Sequence, residues 1–223
     1  MQIFNKTLLL LIFTFAVIDV SNKQVKEDDG IYQLWLDCSL GEVLSYKIFN
    51  AAILGYRQID NLRKKNILTI IDFSKSSAKK RFFVIDLENR QLLYKCYVAH
   101  GKNSGENYAK SFSNQSESLK SSLGFFLTAE TYYGKHGFSL RLDGIEKSIN
   151  DNARTREIVI HGADYVSDDF IKKYGRLGRS WGCPALPLEV SKEVIEKISD
   201  GSCLFNYGDD DYYKKNSGLI NKK

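Results

Sequence analysis

Residues 67–98 read Ile67-Leu-Thr-Ile-Ile-Asp-Phe73, then Arg81-Phe-Phe-Val-Ile-Asp-Leu87, then Gln91-Leu-Leu-Tyr-Lys-Cys-Tyr-Val98. Each run is short and rich in β-branched and aromatic residues, which is the composition of a strand. Glu88-Asn-Arg90 between the last two reads as a hairpin connection. Downstream, Phe125–Thr128, Phe138–Leu142, Glu157–Ile160 and Cys203–Tyr207 repeat the pattern. Few helices interrupt them. Ser167-Asp-Asp-Phe-Ile-Lys-Lys-Tyr174 predicts a short helix capped by Ser167. Leu188–Ile198 predicts a second, with Pro187 at its first turn and Gly201 just past its end. The reading is a β-rich α+β domain, a sandwich or part-open barrel. A Rossmann fold is disfavoured, because strands and helices do not alternate and no Gly-x-Gly-x-x-Gly follows a strand.

Upstream, Ser39-Leu-Gly-Glu42 has the form of a capping box. Apolar residues at Leu40, Val43, Leu44, Ile48, Ala51, Ala52 and Ile59 recur at helical spacing, predicting a helix over about 40–60. The expected organisation is a signal peptide at 1–20, a linker and N-terminal helical region at 21–66, the main domain at 67–208, and a flexible tail at 209–223. Residues 100–122, rich in Gly, Ser and Asn, read as a long loop of the kind that often carries function.

The chain has 223 residues, 26% charged and 43% hydrophobic, an ordinary globular composition. Three His, four Cys, two Pro and one Met exclude a His-rich metal tract and a disulfide-dense mini-protein. Thr7–Ile18, preceded by Lys6, is too short for a bilayer, which needs ~20 apolar residues. It fits the core of a secretory signal. Removing residues 1–20 takes away Lys6 and Asp19 and leaves the net charge at +5. That charge is scattered among acidic residues with no nucleic-acid signature, so nucleic acid is not an expected partner. No stable membrane insertion is expected once the signal is removed.

The chemistry concentrates in two segments. Ile158-Val-Ile-His161-Gly162 is a strand leading into His-Gly, and Arg179-Ser-Trp-Gly-Cys-Pro-Ala185 is a turn that delivers a Cys just before a helix. A thiolate is the nucleophilic form of Cys, and a neighbouring His can take its proton and form an ion pair. The second nitrogen of His161 would bond a backbone carbonyl, that of Gly162 being the nearest candidate. The tight turn presents the N–H groups of Trp181, Gly182 and Cys183 to an oxyanion. Alone, Cys183 would be a small buried hydrophobe or half a disulfide; its context lifts it. No His-x-His or Cys-x-x-Cys spacing supports a zinc site of His161, His136 and Cys183, so no metal or cofactor is expected. Cys96 could pair with Cys203 or Cys38, and the sequence does not choose between them.

Residues 98–105 (Val-Ala-His-Gly-Lys-Asn-Ser-Gly), 134–137 (Gly-Lys-His-Gly), 140–144 (Leu-Arg-Leu-Asp-Gly) and 178–185 (Gly-Arg-Ser-Trp-Gly-Cys-Pro-Ala) add to His161-Gly162. In this order they resemble the catalytic domain of YkuD-like murein L,D-transpeptidases, from Leu68 to Tyr207. The resemblance implies a Cys183 nucleophile, His161 as base, and Gly162 and Ser180 in the catalytic set. It also implies peptidoglycan stem peptides as substrate, no cofactor, and an exported, periplasmic or envelope location. Trp181 and Ala185 depart from better-known members, which carry His and Arg there. Arg179, Arg176 and Arg141 are the candidates to replace that Arg at a substrate carboxylate. His136 and His100 are candidates to line the cleft, or else plain turn residues. Two rival readings are a peptidoglycan L,D-carboxypeptidase or amidase using the same Cys-His pair, and a non-catalytic wall-binding module. Oligomeric state is not legible.

Overall fold

The computed structural model describes residues 29–221. The predicted signal peptide lies outside them. Eight strands form one sheet: β1 (Ile67–Asp72), β2 (Phe82–Asp86), β3 (Gln91–Cys96), β4 (Gly124–Gly134), β5 (Gly137–Gly144), β6 (Val159–Ala163), β7 (Ala185–Pro187) and β8 (Cys203–Tyr207). Their spatial order is β3-β2-β1-β8-β4-β5-β6-β7. β1 is buried along its whole length because it lies between β2, antiparallel, and β8, parallel. A strand covered on both faces reads as a continuous apolar run, which is what Ile67–Asp72 supplies.

The two ends of the sheet meet. Past β3 the chain reaches Ala99, whose N–H donates to Ala185 O at 2.9 Å and whose carbonyl accepts from Ala185 N at 3.4 Å. This isolated antiparallel bridge ties the far end of the sheet back to its beginning. The architecture is thus an α+β fold on a nearly closed, barrel-like sheet, as the strand-rich sequence predicts.

Helices α1 (residues 29–37), α2 (Tyr46–Tyr56), α3 (Asp168–Tyr174), α4 (Leu188–Ile198) and α5 (Asp211–Asn216) surround it. α4 buries Ser191, Val194, Ile195 and Ile198, one stripe of an amphipathic helix. It packs against β5, β6 and β7 on its way from β7 to β8. α3 is capped as predicted, the Ser167 hydroxyl accepting from Phe170 N.

Two expectations change. The helix predicted over 40–60 is shorter, α2 at Tyr46–Tyr56, and a separate helix, α1, precedes residue 40. Ser39 lies at φ 55° and its N–H donates to Leu36 O, so it ends α1. Ser45 caps α2 instead, accepting from Ile48 N. Ile31, Leu40, Phe49 and Ile53 belong to the same core as β1 and β8. The tail after Asp209 is not frayed throughout. The Asp210 side chain caps α5, and Tyr213 is buried with its hydroxyl donating to Glu146 Oε1 at 3.1 Å. Glu146 also accepts from Phe125 N at 2.8 Å and from the Ser217 hydroxyl, which ties the tail to the start of β4.

Candidate active site

The parallel pairing of β6 and β7 sets His161 opposite Ala185, two residues after Cys183. His161 N–H donates to Pro184 O at 3.4 Å. The sheet thus sets His161 on the strand beside the one that Cys183 leads into. The His161 ring is buried, with Nδ1 at 2.9 Å from Gly162 O. A carbonyl only accepts, so Nδ1 carries the proton and Nε2 is left as the base. Gly162 owes its identity to α4: a methyl there would sit 2.6 Å from Ser191 Oγ. His136, exposed at the β4–β5 turn, stacks on His161 with ring centroids 4.4 Å apart. That places His136 at the site, covering the base.

The Cys183 thiol donates to Glu157 O at 3.6 Å and accepts from Val159 N at 3.5 Å. Burial pushes the thiol above its ordinary value, against the opposing pull of the Val159 N–H and the Arg156 guanidinium. Burial likewise pushes His161 down, against the Gly162 carbonyl, and His136 adds to the depression. Both shifts favour the neutral forms. Both directions act against the ion pair the sequence suggests and toward transfer of the proton as the nucleophile attacks. Alkylation of Cys183 by iodoacetamide should keep accelerating as pH rises past ~8.5, the free-thiol value. A rate already at its plateau at neutral pH would mean a resting thiolate.

Ser180, Trp181, Gly182 and Cys183 form the turn ahead of β7. The Ser180 hydroxyl donates to Cys183 O at 2.6 Å and accepts from Gly182 N at 3.1 Å, so it closes the turn on itself. The Gly182 N–H is thereby used, which corrects the expectation of three oxyanion donors. Trp181 N and Cys183 N donate to no partner among the described residues and remain available. Gly182 sits at φ 133° with Lys120 O 2.9 Å from where a Cβ would lie, so only glycine fits. The Trp181 side chain is 71% exposed, with Lys102 and Lys135 each 6.0 Å from its ring.

The long loop over 100–122 packs onto this turn. Ser121 Oγ donates to Gly182 O at 3.0 Å, and Lys102 N donates to Ser180 O at 2.8 Å. Sequence reasoning missed Arg156, which holds the loop: its guanidinium donates to Ser113 O, Ser122 Oγ, Ser118 Oγ and Lys120 O. It also missed Tyr165, which packs against the backbone of Gly178 and whose hydroxyl bonds nothing among the described residues. Burial first, and then a Cys183 thiolate once one forms, push that phenol up to about 12. Arg156 looked like one charge in a polar stretch, and Tyr165 carried no motif.

His100 is not a cleft residue. It is fully buried, Nδ1 accepting from Arg81 Nη2 at 2.7 Å and Nε2 donating to Gly105 O at 3.2 Å. Burial, then the Arg81 charge, push its pKa down to about 3. The unfolded chain takes up this proton near pH 6.5 and the native state does not. Stability from His100 is therefore full above ~6.5 and falls by up to about 1.4 kcal/mol per pH unit toward pH 3. Denaturant titrations at several pH values should show that slope reduced in His100→Gln. Arg141 is held by Glu130 at 3.2 Å, and Arg176 and Arg179 by Glu106, so each guanidinium already carries a carboxylate. Cys38, Cys96, Cys183 and Cys203 are all free thiols, and neither candidate pairing of Cys96 is present.

The model of the L,D-transpeptidase catalytic domain matches residues 41–207. The chain belongs to this family. The matched segment of this L,D-transpeptidase domain begins ahead of α2 and ends with β8. Solved structures similar to it include an L,D-transpeptidase from Mycobacterium smegmatis, 13% identical at TM-score 0.41, covering 64% of this chain and 59% of that one. L,D-transpeptidase 3 from Mycobacterium tuberculosis is 9% identical at TM-score 0.41, covering 64% and 61%. The helical cell shape determining protein Pgp2 from Campylobacter jejuni is 13% identical at TM-score 0.44, covering 68% and 48%. The chain thus spans less than two thirds of these proteins. No curated protein matches it.

Proposed function

We propose that this L,D-transpeptidase domain acylates itself on a peptidoglycan stem tetrapeptide and passes the acyl group to an amine. The observation that carries this reading is a half-buried thiol two residues ahead of Ala185, the strand partner of a His161 whose Nδ1 is held by Gly162 O. Cys183 Sγ attacks the carbonyl carbon of the third stem residue, and its proton passes to His161 Nε2. The oxyanion so formed is received by the free N–H groups of Trp181 and Cys183. The C–N bond then breaks, and the terminal D-Ala amine leaves with the proton from His161. An acceptor amine attacks the thioester, gives its proton to His161, and the thiol re-forms. Ser180 serves by holding the turn rather than by touching the reacting atoms.

Water in place of the amine would make the same site an L,D-carboxypeptidase. The apolar run at Thr7–Ile18 supports export, and the substrate implies an envelope location. The test is a mass-spectrometric product profile on disaccharide tetrapeptides. Dimers or exchanged termini are the expected products. Shortened stems alone would mean hydrolysis, and unaltered substrate would contradict an enzyme.

A further inference from the structure

Two guanidinium groups converge on one carboxylate beside the nucleophile turn. Arg176 Nε lies 3.0 Å from Glu106 Oε2, and Arg179 Nη1 lies 2.6 Å from Glu106 Oε1. Each carboxylate oxygen takes one arginine. The guanidiniums are three-quarters buried, at 25% and 23% exposure, whereas Glu106 is 70% exposed.

The arginines are positioned independently of Glu106. Arg176 Nη1 donates to Leu177 O at 2.8 Å, and Arg179 Nη1 donates to Lys102 O at 3.1 Å and Gly105 O at 3.4 Å. Glu106 has no other side-chain partner among the described residues, and no other carboxylate reaches either arginine. Take the Glu106 side chain away, and a preformed pair of partly buried cations remains without a counter-charge. Such a pair binds a carboxylate through charge-assisted bonds of fixed direction. The exposed Glu106 is the exchangeable partner, because an ion pair reached by water is worth little.

The pair also lies at the right place. Arg179 precedes Ser180, whose N–H donates to His100 O and whose carbonyl accepts from Lys102 N. The Lys102 ammonium approaches the Trp181 ring on the adjoining part of the same turn. A peptide bound with its reacting carbonyl at Cys183 therefore has cations within the same rim.

We propose that Arg176 and Arg179 form a peptide-carboxylate site, and that Glu106 is its resident occupant, displaced when a substrate carboxylate binds. The substrate class rests on the reading of the domain as acting on stem peptides. The displacement itself does not. Glu106 thus acts as a built-in competitor that lowers affinity for free carboxylates and discriminates against ligands too weak to replace it.

The test uses the full chain and a ligand with no scissile stem bond. N-acetyl-D-alanine and its amide are titrated while the Arg176 and Arg179 side-chain N–H signals are followed by NMR. Glu106→Gln, an exposed and isosteric change, should tighten binding of the acid about five- to tenfold while the amide stays unbound. Arg179→Gln on that background should abolish the gain. Equal affinity in Glu106→Gln and wild type, or equal binding of acid and amide, would overturn the proposal. Failure of the stem-peptide reading would appear separately, as absence of product from tetrapeptides with this carboxylate response intact.

Discussion

Replacing His161 by Ala should lower the rate of Cys183 acylation about 10²- to 10⁴-fold, the range of a lost general base. The size follows from the resting protonation. Burial raises the thiol and depresses the imidazole, and both directions act against a thiolate before attack. Without Nε2 the proton has no acceptor in place. The pH profile separates this from a structural loss. In the wild type, rate should fall on the acid side only as His161 protonates, and its depressed pKa places that limb below the ordinary imidazole value of ~6.5. In His161→Ala that limb should vanish, and the residual rate should climb with alkali as hydroxide forms the thiolate. Single-turnover acylation across pH checks both.

Gly182→Ala should be the other severe variant. The added methyl must accept φ 133° and lie 2.9 Å from Lys120 O and 3.2 Å from Ile158 Cδ1. Backbone strain and overpacking of this kind cost roughly 2–4 kcal/mol. The turn cannot relax without moving its neighbours, because Ser180 Oγ bonds both Gly182 N and Cys183 O. The free N–H groups of Trp181 and Cys183 would shift from where the oxyanion develops, a loss of about 10²–10³ in rate. Chemical denaturation and acylation kinetics on the same preparation should both fall. A loss of stability with full acylation would mean that the turn does not position the donors.

The parts of the site that sequence exposed were local ones. His161 bonding Gly162 O is a contact between adjacent residues, and a short strand is legible from composition. α4 was legible because Pro187 and Gly201 bracket it within one run. What failed depended on distant pairing. His100 sits in an attractive Gly-rich motif, yet Arg81, nineteen residues earlier, takes its Nδ1 and draws it into the core. Arg81 opens a strand-like run and is fully buried. Ser39-Leu-Gly-Glu42 read as the capping box, yet the backbone at Ser39 is turned to φ 55° and Ser45 caps α2 instead. The tail read as charged and free because Tyr213 finds its partner in Glu146, across the fold. The Gly182 N–H was counted as an oxyanion donor because a sequence does not show that Ser180 turns back on it.

Everything proposed for this site depends on a covalent bond between Cys183 and the donor stem. Intact-mass measurement after mixing the protein with a disaccharide tetrapeptide in the absence of an acceptor amine tests it most directly. A mass increase equal to the donor less its terminal D-Ala is expected, mapped to the peptide that contains Cys183 and missing from Cys183→Ala. The same increase in Cys183→Ala, or turnover of the tetrapeptide by that variant, would contradict it.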